Sequence, residues 1–306
     1  MNKFVILGEA RSGTTTISSL LGRGLRKASI PLKKKFPVMG EPFPMLYKSW
    51  GEPELGANTL YTHMHGKDGY YSQLPQRTRD YVDPLKSSKH QFGKDAPQYI
   101  FDDVIDLAYD KSYGIKELIR NRDFICKFMA AAKRRDFKYI HLRRYNYLSM
   151  AISLELSRQH GIWNIPPDIP EKRKLHKKHL EVISSYEVKP IKIGWIEYTI
   201  NNLSKRKEVL ESYKDENWIT VDFKDLYSEQ VSLEDKSELF LRITKLLEID
   251  IFKEAFIKEP SYEELIEAFF SNKKRVTKES YYKQIPNINE ILTHFNCSFE
   301  ELCERH

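Results

Sequence analysis

Residues 4–17, Phe-Val-Ile-Leu-Gly-Glu-Ala-Arg-Ser-Gly-Thr-Thr-Thr-Ile, have the residue types and spacing of an anion site. Four apolar residues form a buried strand and Gly8 ends it. A turn of small residues (Ser12, Gly13, Thr14, Thr15) then leads into an apolar helix marked by Ile17, Leu20 and Leu21. Strand, small-residue turn and helix N-terminus aim several backbone N–H groups and a positive dipole end at one point, which suits a phosphate or sulfate oxygen. The spacing of Gly8 to Gly13 is that of a P-loop, in which Lys and then Ser or Thr follow the second glycine. Here Thr14 stands at the lysine position and Arg11 is the cation inside the loop. Thr14 supplies no charge to a phosphate, whereas the Arg11 guanidinium can fork onto two of its oxygens.

A second constellation lies between Tyr139 and Trp163. Arg143 and Arg144 close an apolar strand, and Ser153 lies two to three turns into the helix that follows. Open α/β sheets bind ligands where strand ends meet helix N-termini, and there Arg144 and Ser153 are placed to close on one phosphate. A third segment, Pro37-Val-Met-Gly-Glu41-Pro42-Phe43-Pro44, is stiffened by three prolines around Glu41.

The elements that must position these groups follow from hydrophobic periodicity. Strands are expected at 4–8, 113–119, 137–142 and 218–223. Helices are expected at 15–28, 121–135, 145–160, 171–184, 190–213 and 233–247, with short helices in the tail. Residues 50–100 read as irregular, with long loops and short helices over a binding face. Strands alternating with helices predict an α/β fold: a P-loop-like, three-layer arrangement with a central parallel sheet of about four to five strands flanked by helices. The 306 residues are expected to form a single domain, with 50–112 as a long loop insertion over the active site that binds the acceptor. A chain 41% hydrophobic and 30% charged is globular, and a net charge of +7 favours an anionic ligand or surface. Three cysteines make neither a disulfide framework nor a zinc quartet, and fit a reducing compartment. The apolar run at Phe4–Leu7 is too short for a signal peptide and no run approaches a membrane span, so a cytoplasmic protein without an anchor is expected.

With these motifs in view, residues 4–17 resemble the 5′-phosphosulfate loop of sulfotransferases that use 3′-phosphoadenylyl sulfate (PAPS). The run Arg143–Ser153 resembles their 3′-phosphate motif. Its spacing, with Gly161-Ile-Trp163 after it and the later Val221-Asp-Phe-Lys-Asp225-Leu226, is similar to the bacterial carbohydrate branch, which includes mycobacterial trehalose and rhizobial nodulation-factor sulfotransferases. The likeness covers about half the chain, at both ends of the core. The family pattern departs at three positions, where Asn146 replaces an Asp, Met150 a Gln and Ala10 a Pro.

The resemblance implies PAPS as sulfuryl donor, adenosine 3′,5′-bisphosphate (PAP) as product, and no metal. It places Arg11 and Ser12, Gly13, Thr14 and Thr15 around the sulfonate and 5′-phosphate, and Arg144 and Ser153 on the 3′-phosphate. Glu41 becomes the general base, with His63, His65 and Glu117 as competitors; His65 matches the histidine base of the aryl and steroid enzymes. Lys116 falls near a lysine that touches the transferred group. The implied acceptor is a hydroxyl-bearing glycan or glycolipid. Family members can be homodimers, and nucleic acid is not expected as a partner.

Two other readings compete. A P-loop kinase or NTPase with an altered loop needs a carboxylate for Mg²⁺, for which Asp102 and Asp103 are the candidates. A non-catalytic protein would bind nucleotide or nucleic acid through its basic surface.

Overall fold

The structure, a computed structural model, describes residues 2–9, 12–27, 36–40, 42–43, 70–84, 96–162, 173–228, 230–248 and 279–303. Its centre is a five-stranded sheet: β1 (Lys3–Gly8), β2 (Phe36–Gly40), β3 (Ser112–Leu118), β4 (Phe137–Arg143) and β5 (Trp218–Asp222). The strands lie in the order β2-β3-β1-β4-β5 and every neighbouring pair is parallel. β1 sits in the middle, bonded on one side to β3 and on the other to β4. A strand end in that position is where an open parallel sheet leaves a crevice.

Alternation along the strands divides the packing between two faces. Phe4 and Ile6 of β1 point, with Ile140, Leu142 and Val221, toward α1 (Thr14–Lys27), which buries Ile17, Leu20, Leu21 and Leu25. That spacing of 3, 1 and 4 is the apolar stripe of a helix laid on a sheet. Val5 and Leu7 point the other way, toward α2 (Gln76–Val82), α3 (Gln98–Lys111), α4 (Arg122–Ala132) and, further along the chain, Leu210. There Phe43, Phe101, Phe124 and Phe128 interlock, with Phe43 4.8 Å from Phe101 and 5.3 Å from Phe124. Three layers, helix–sheet–helix, result.

After β4 come α5 (Tyr147–His160), α6 (Arg173–Ser185) and α7 (Ile193–Glu211). In α7 the buried residues Ile196, Leu203 and Leu210 recur every seven positions, a narrow seam that leaves Arg206 between two of them. β5 runs directly into the short α8 (Phe223–Tyr227), and α9 (Leu233–Leu246) completes the α1 face with Leu239, Phe240 and Ile243. The tail forms α10 (Glu279–Tyr282), α11 (Ile288–His294) and α12 (Phe299–Cys303), which build a separate apolar cluster against Ala151, Ile152 and Leu156 of α5.

Four strands fall within a residue or two of their expected positions. The fifth, β2, lies in the segment expected to be extended because of its prolines. It occupies an edge, pairing only with β3 among the strands, and Pro37 is tolerated there because an edge strand needs only half of its N–H groups for the sheet. The stretch expected to hold long loops and short helices contains the short α2 and the beginning of the longer α3. Helix α3 buries Ile100, Phe101, Val104, Ile105 and Ala108, so the part of 50–112 that precedes β3 packs on the sheet as a core helix.

Candidate functional site

The C-terminal ends of β1, β3 and β4 converge because their registers do: Gly8 lies opposite Leu118 on one side and Leu142 on the other. What happens after Gly8 is fixed by space. A Cβ on Gly8 would lie 2.5 Å from the Ser12 hydroxyl, 2.6 Å from the Thr14 methyl and 3.0 Å from the Leu142 carbonyl oxygen. The loop therefore folds back onto the strand end, and only a residue without a side chain permits it. Ser12 locks this turn by donating its backbone N–H and its hydroxyl to the Glu9 carbonyl, at 3.1 and 2.6 Å. Gly13 adopts φ +86°, a left-handed conformation that costs a residue with a side chain about 1 kcal/mol or more.

Thr14 then opens α1. The first turn of this 14-residue helix has no acidic side chain to compete with a bound anion. Thr14 is buried and Thr15 exposed. Ser12, Gly13, Thr14 and Thr15 thus sit together at the helix N-terminus. Arg11, Glu41, His63 and His65 lie outside the described residues.

The second half of the site begins where β4 ends. The adjacent arginines separate by role. Arg143 makes a double contact with Asp222 of β5, Nε to Oδ1 at 2.6 Å and Nη2 to Oδ2 at 3.1 Å, across the register pair Arg143–Asp222. It holds two strand ends together. Arg144 turns instead to the start of α5, where Nη2 donates to Ser149 Oγ at 2.7 Å and the guanidinium lies 4.5 Å from the centre of the Phe223 ring. Ser149 Oγ is in turn 2.9 Å from the Tyr282 hydroxyl of the tail. Asn146 caps α5 by accepting from Ser149 N–H at 2.8 Å, and its amide donates to the Glu301 carbonyl at 3.0 Å. Ser153 is buried one turn beyond Ser149 on the same side of the helix. Ser149, which accepts from Arg144, and Ser153 thus share one face of α5.

Lys116 occupies the middle of β3 rather than its end. It pairs in register with Ile6 and Gly40 and is 7% exposed, on the sheet face that α1 covers. Glu117 points to the opposite face. It is fully buried, accepts from Leu118 N–H at 3.0 Å and lies 3.5 Å from Arg120. Asp102 and Asp103, the carboxylates a kinase would need, lie on α3. Asp103 is bound by Arg77 and Thr78, and Asp102 by Arg134 at 2.8 Å. Both are held in ion pairs on α3, Asp103 buried and Asp102 half-buried, and neither lies at a strand end. Among the described residues, no group of three His, Cys, Asp or Glu side chains is placed to share a metal ion, and no helix is long and apolar enough to cross a membrane.

Three groups at this edge were not singled out from the sequence. Glu9 follows Gly8 directly, is 9% exposed, and meets Arg206 of α7, whose Nη1 lies 3.2 Å from Oε2 and 3.4 Å from the Ile119 carbonyl. Burial outweighs the arginine and pushes the Glu9 carboxyl up to about 8. An acidic residue directly after Gly8, beside a small-residue turn at a helix N-terminus, was the available signal. Phe223 and Tyr227 are the second and third. They stack one helical turn apart at 4.3 Å, and the Tyr227 ring lies where a Cβ on Gly13 would be, 2.7 Å from that position. The run Val221–Leu226 stands out only as a point of resemblance, and an aromatic pair at i and i+4 after a strand is a common core pattern, so the sequence assigns no role to Phe223 or Tyr227.

A dense buried group lies nearby under α7. His141 on β4 is 3% exposed, and burial, then Lys214, Arg143 and Lys207, press its imidazole down to about 3. Its ring meets Trp218 at 6.3 Å, and Trp218 stacks on Tyr139 at 4.7 Å. His141 is a neutral core residue of this layer.

No protein-family model matches the chain, and no curated protein does. Among solved structures, the chain is similar to the sulfotransferase domain of a Synechococcus olefin synthase, at 14% identity over 97% of this chain and 94% of that one, with a TM-score of 0.38. It is similar to the sulfotransferase domain of the curacin biosynthetic pathway, at 10% identity over 97% and 99%, TM-score 0.38. A sulfotransferase from Mycobacterium avium shares 12% identity over 97% of this chain and 77% of that one, TM-score 0.36. All three likenesses are distant in sequence and in shape.

Proposed function

We propose that this chain is a sulfotransferase that moves the sulfuryl group of PAPS to a hydroxyl of a carbohydrate-type acceptor, releasing PAP. The observation that carries the reading is the pairing of two anion-binding elements on adjacent strand ends. One is a loop folded onto the N-terminus of α1. The other is Arg144, two residues beyond the partner of Gly8 on β4. Parallel neighbours lie about 4.8 Å apart, so both elements fall within the span of one nucleotide phosphorylated at its two ends. PAPS, when bound, supplies an activated sulfuryl group on such a nucleotide.

The residues then take distinct roles. Backbone N–H groups of Ser12, Gly13, Thr14 and Thr15, with the Arg11 guanidinium, hold the 5′-phosphate and the charge that grows on it as its bond to sulfur breaks. Arg144 and Ser153 hold the 3′-phosphate. Lys116 serves the transferred group from the α1 face. Glu41 takes the proton of the acceptor hydroxyl as its oxygen forms the new bond to sulfur, with His65 as the alternative base. The reaction needs no metal, since charge stabilisation comes from arginine and backbone dipoles. Residues within 50–112 contact the acceptor, a glycan or glycolipid.

Calorimetry tests this directly. PAP in the absence of Mg²⁺ is expected to bind in the micromolar range and ATP with Mg²⁺ weakly; the reverse preference sinks the reading. Glu41→Gln is expected to bind PAP normally and to transfer sulfate slowly from PAPS, and normal turnover removes Glu41 as the base.

A further inference from the structure

The two halves of the site are physically joined. Arg144 lies 4.5 Å from the centre of the Phe223 ring, Phe223 stacks on Tyr227 with ring centres 4.3 Å apart and planes inclined by 26°, and Tyr227 packs against Gly13. The Tyr227 hydroxyl donates a long hydrogen bond of 3.5 Å to the Gly13 carbonyl, and the ring edge and the hydroxyl lie equally near the face of Gly13. The same carbonyl accepts the Ile17 N–H at 3.3 Å, the first bond of α1. Phe223 and Tyr227 are fixed from behind as well. α8 starts at Asp222, which Arg143 clamps to β4, and Leu226 between the two rings is fully buried.

We propose that Phe223 and Tyr227 form an aromatic bridge between Arg144 and the Gly13 loop. Through it the two ends of the site are filled cooperatively, and a nucleoside phosphorylated at both 3′ and 5′ positions is selected over either monophosphate by more than the two phosphates contribute separately. The inference rests on the donor reading above and adds to it the means of selection. Its physical basis is contact without slack. An anion on Arg144 sets the guanidinium against the Phe223 face, where a cation–π contact is directional. Phe223 and Tyr227 are half-buried, stacked on each other and anchored through the fully buried Leu226, so a shift of one ring is passed to the other. The Tyr227 edge occupies the space on which the left-handed Gly13 depends. Ordering one end therefore orders the other, and the cost of holding the loop is met once for both phosphates.

The test is a thermodynamic cycle by calorimetry with four ligands: adenosine, adenosine 5′-phosphate, adenosine 3′-phosphate and PAP. Because adenosine is common to all four, the cycle isolates the interaction between the phosphates. In the wild-type protein PAP is expected to bind about tenfold more tightly than independent phosphate contributions give. Phe223→Leu is expected to abolish that factor while each monophosphate loses little. Tyr227→Leu, which removes the other ring, is also expected to abolish it and serves if Phe223→Leu fails to fold, whereas Tyr227→Phe, which keeps the ring, is expected to retain most of it. A merely structural role predicts uniform weakening of all four ligands with the factor intact, and that result overturns the bridge. Independent phosphates in the wild type, or an unchanged factor in Phe223→Leu, also overturn it while leaving the donor reading in place. Failure of the wild type to bind PAP overturns the donor reading itself.

Discussion

Replacing Glu9 by Gln gives the most direct check on the electrostatics of the loop. The wild-type carboxyl is raised from its ordinary 4.5 to about 8 because folding takes it out of water. The folded state thus holds the proton more tightly than the unfolded state. Below about pH 4.5 both states are protonated and the group contributes no pH dependence. Between 4.5 and 8 the unfolded chain releases its proton while the folded chain keeps it, so stability falls as pH rises. Above 8 the loss is complete. At about 1.4 kcal/mol per pH unit, the span from 4.5 to about 8 gives a ceiling of about 5 kcal/mol. Gln has nearly the same shape, keeps an oxygen for Arg206, and does not titrate. Urea unfolding followed by tryptophan fluorescence at pH 5, 7 and 9 is expected to show the variant gaining on the wild type by several kcal/mol across that range. Parallel stability curves for the two proteins would refute the account of Glu9 as a buried, neutral carboxyl.

Other outcomes rest on the same geometry. Gly13→Ala is expected to lose PAP binding and to lower the melting temperature, because it meets both the left-handed backbone and the Tyr227 ring. Gly161→Ala, at φ +74° in open space, bears the backbone strain alone and melts only slightly lower. Arg143→Ala is expected to cost about 1–3 kcal/mol of stability by stranding Asp222, whereas Arg144→Ala leaves stability nearly unchanged and weakens PAP at least tenfold in calorimetry. His141, held down to about 3, loses stability in the opposite direction to Glu9: as pH falls below about 6.5 the unfolded chain takes up a proton that the folded chain refuses. His141→Asn is expected to flatten the acid side of the unfolding profile relative to wild type.

The sheet was largely legible because its strands are short apolar runs bounded by Gly, Arg or polar turns, as at Phe4–Gly8 and Phe137–Arg143. β2 was not, since Pro37 argues against a strand until the edge position is known. Helix α3 carries a regular apolar spacing, but Asp102, Asp103 and Asp106 interrupt it, and they are tolerated because Arg77, Arg134 and Arg135 lie alongside. At the candidate site, the turn Ser12–Thr15 at the head of α1 and the place of Arg144 just after β4 could be read from local sequence. The contacts of Glu9 with Arg206, of Tyr227 with Gly13 and of Tyr282 with Ser149 could not, because each joins residues more than 130 positions apart and no local pattern encodes the pairing.

That separation bears on how the protein is made. Once Asp222 has left the ribosome, all five strands are available and the central sheet can assemble, as domains do when they fold during synthesis. The environment of Arg144 is not complete at that stage. Its partner Ser149 waits for the hydroxyl of Tyr282, and Asn146 waits for the carbonyls of Glu301 and Leu302. A nascent or clipped chain lacking residues 279–303 would therefore own the sheet and the Gly13 loop while Ser149 and Asn146, beside Arg144, lacked their partners in the tail. The surroundings of Arg144 are thus the last part of the candidate site to form, and they wait for the last helices.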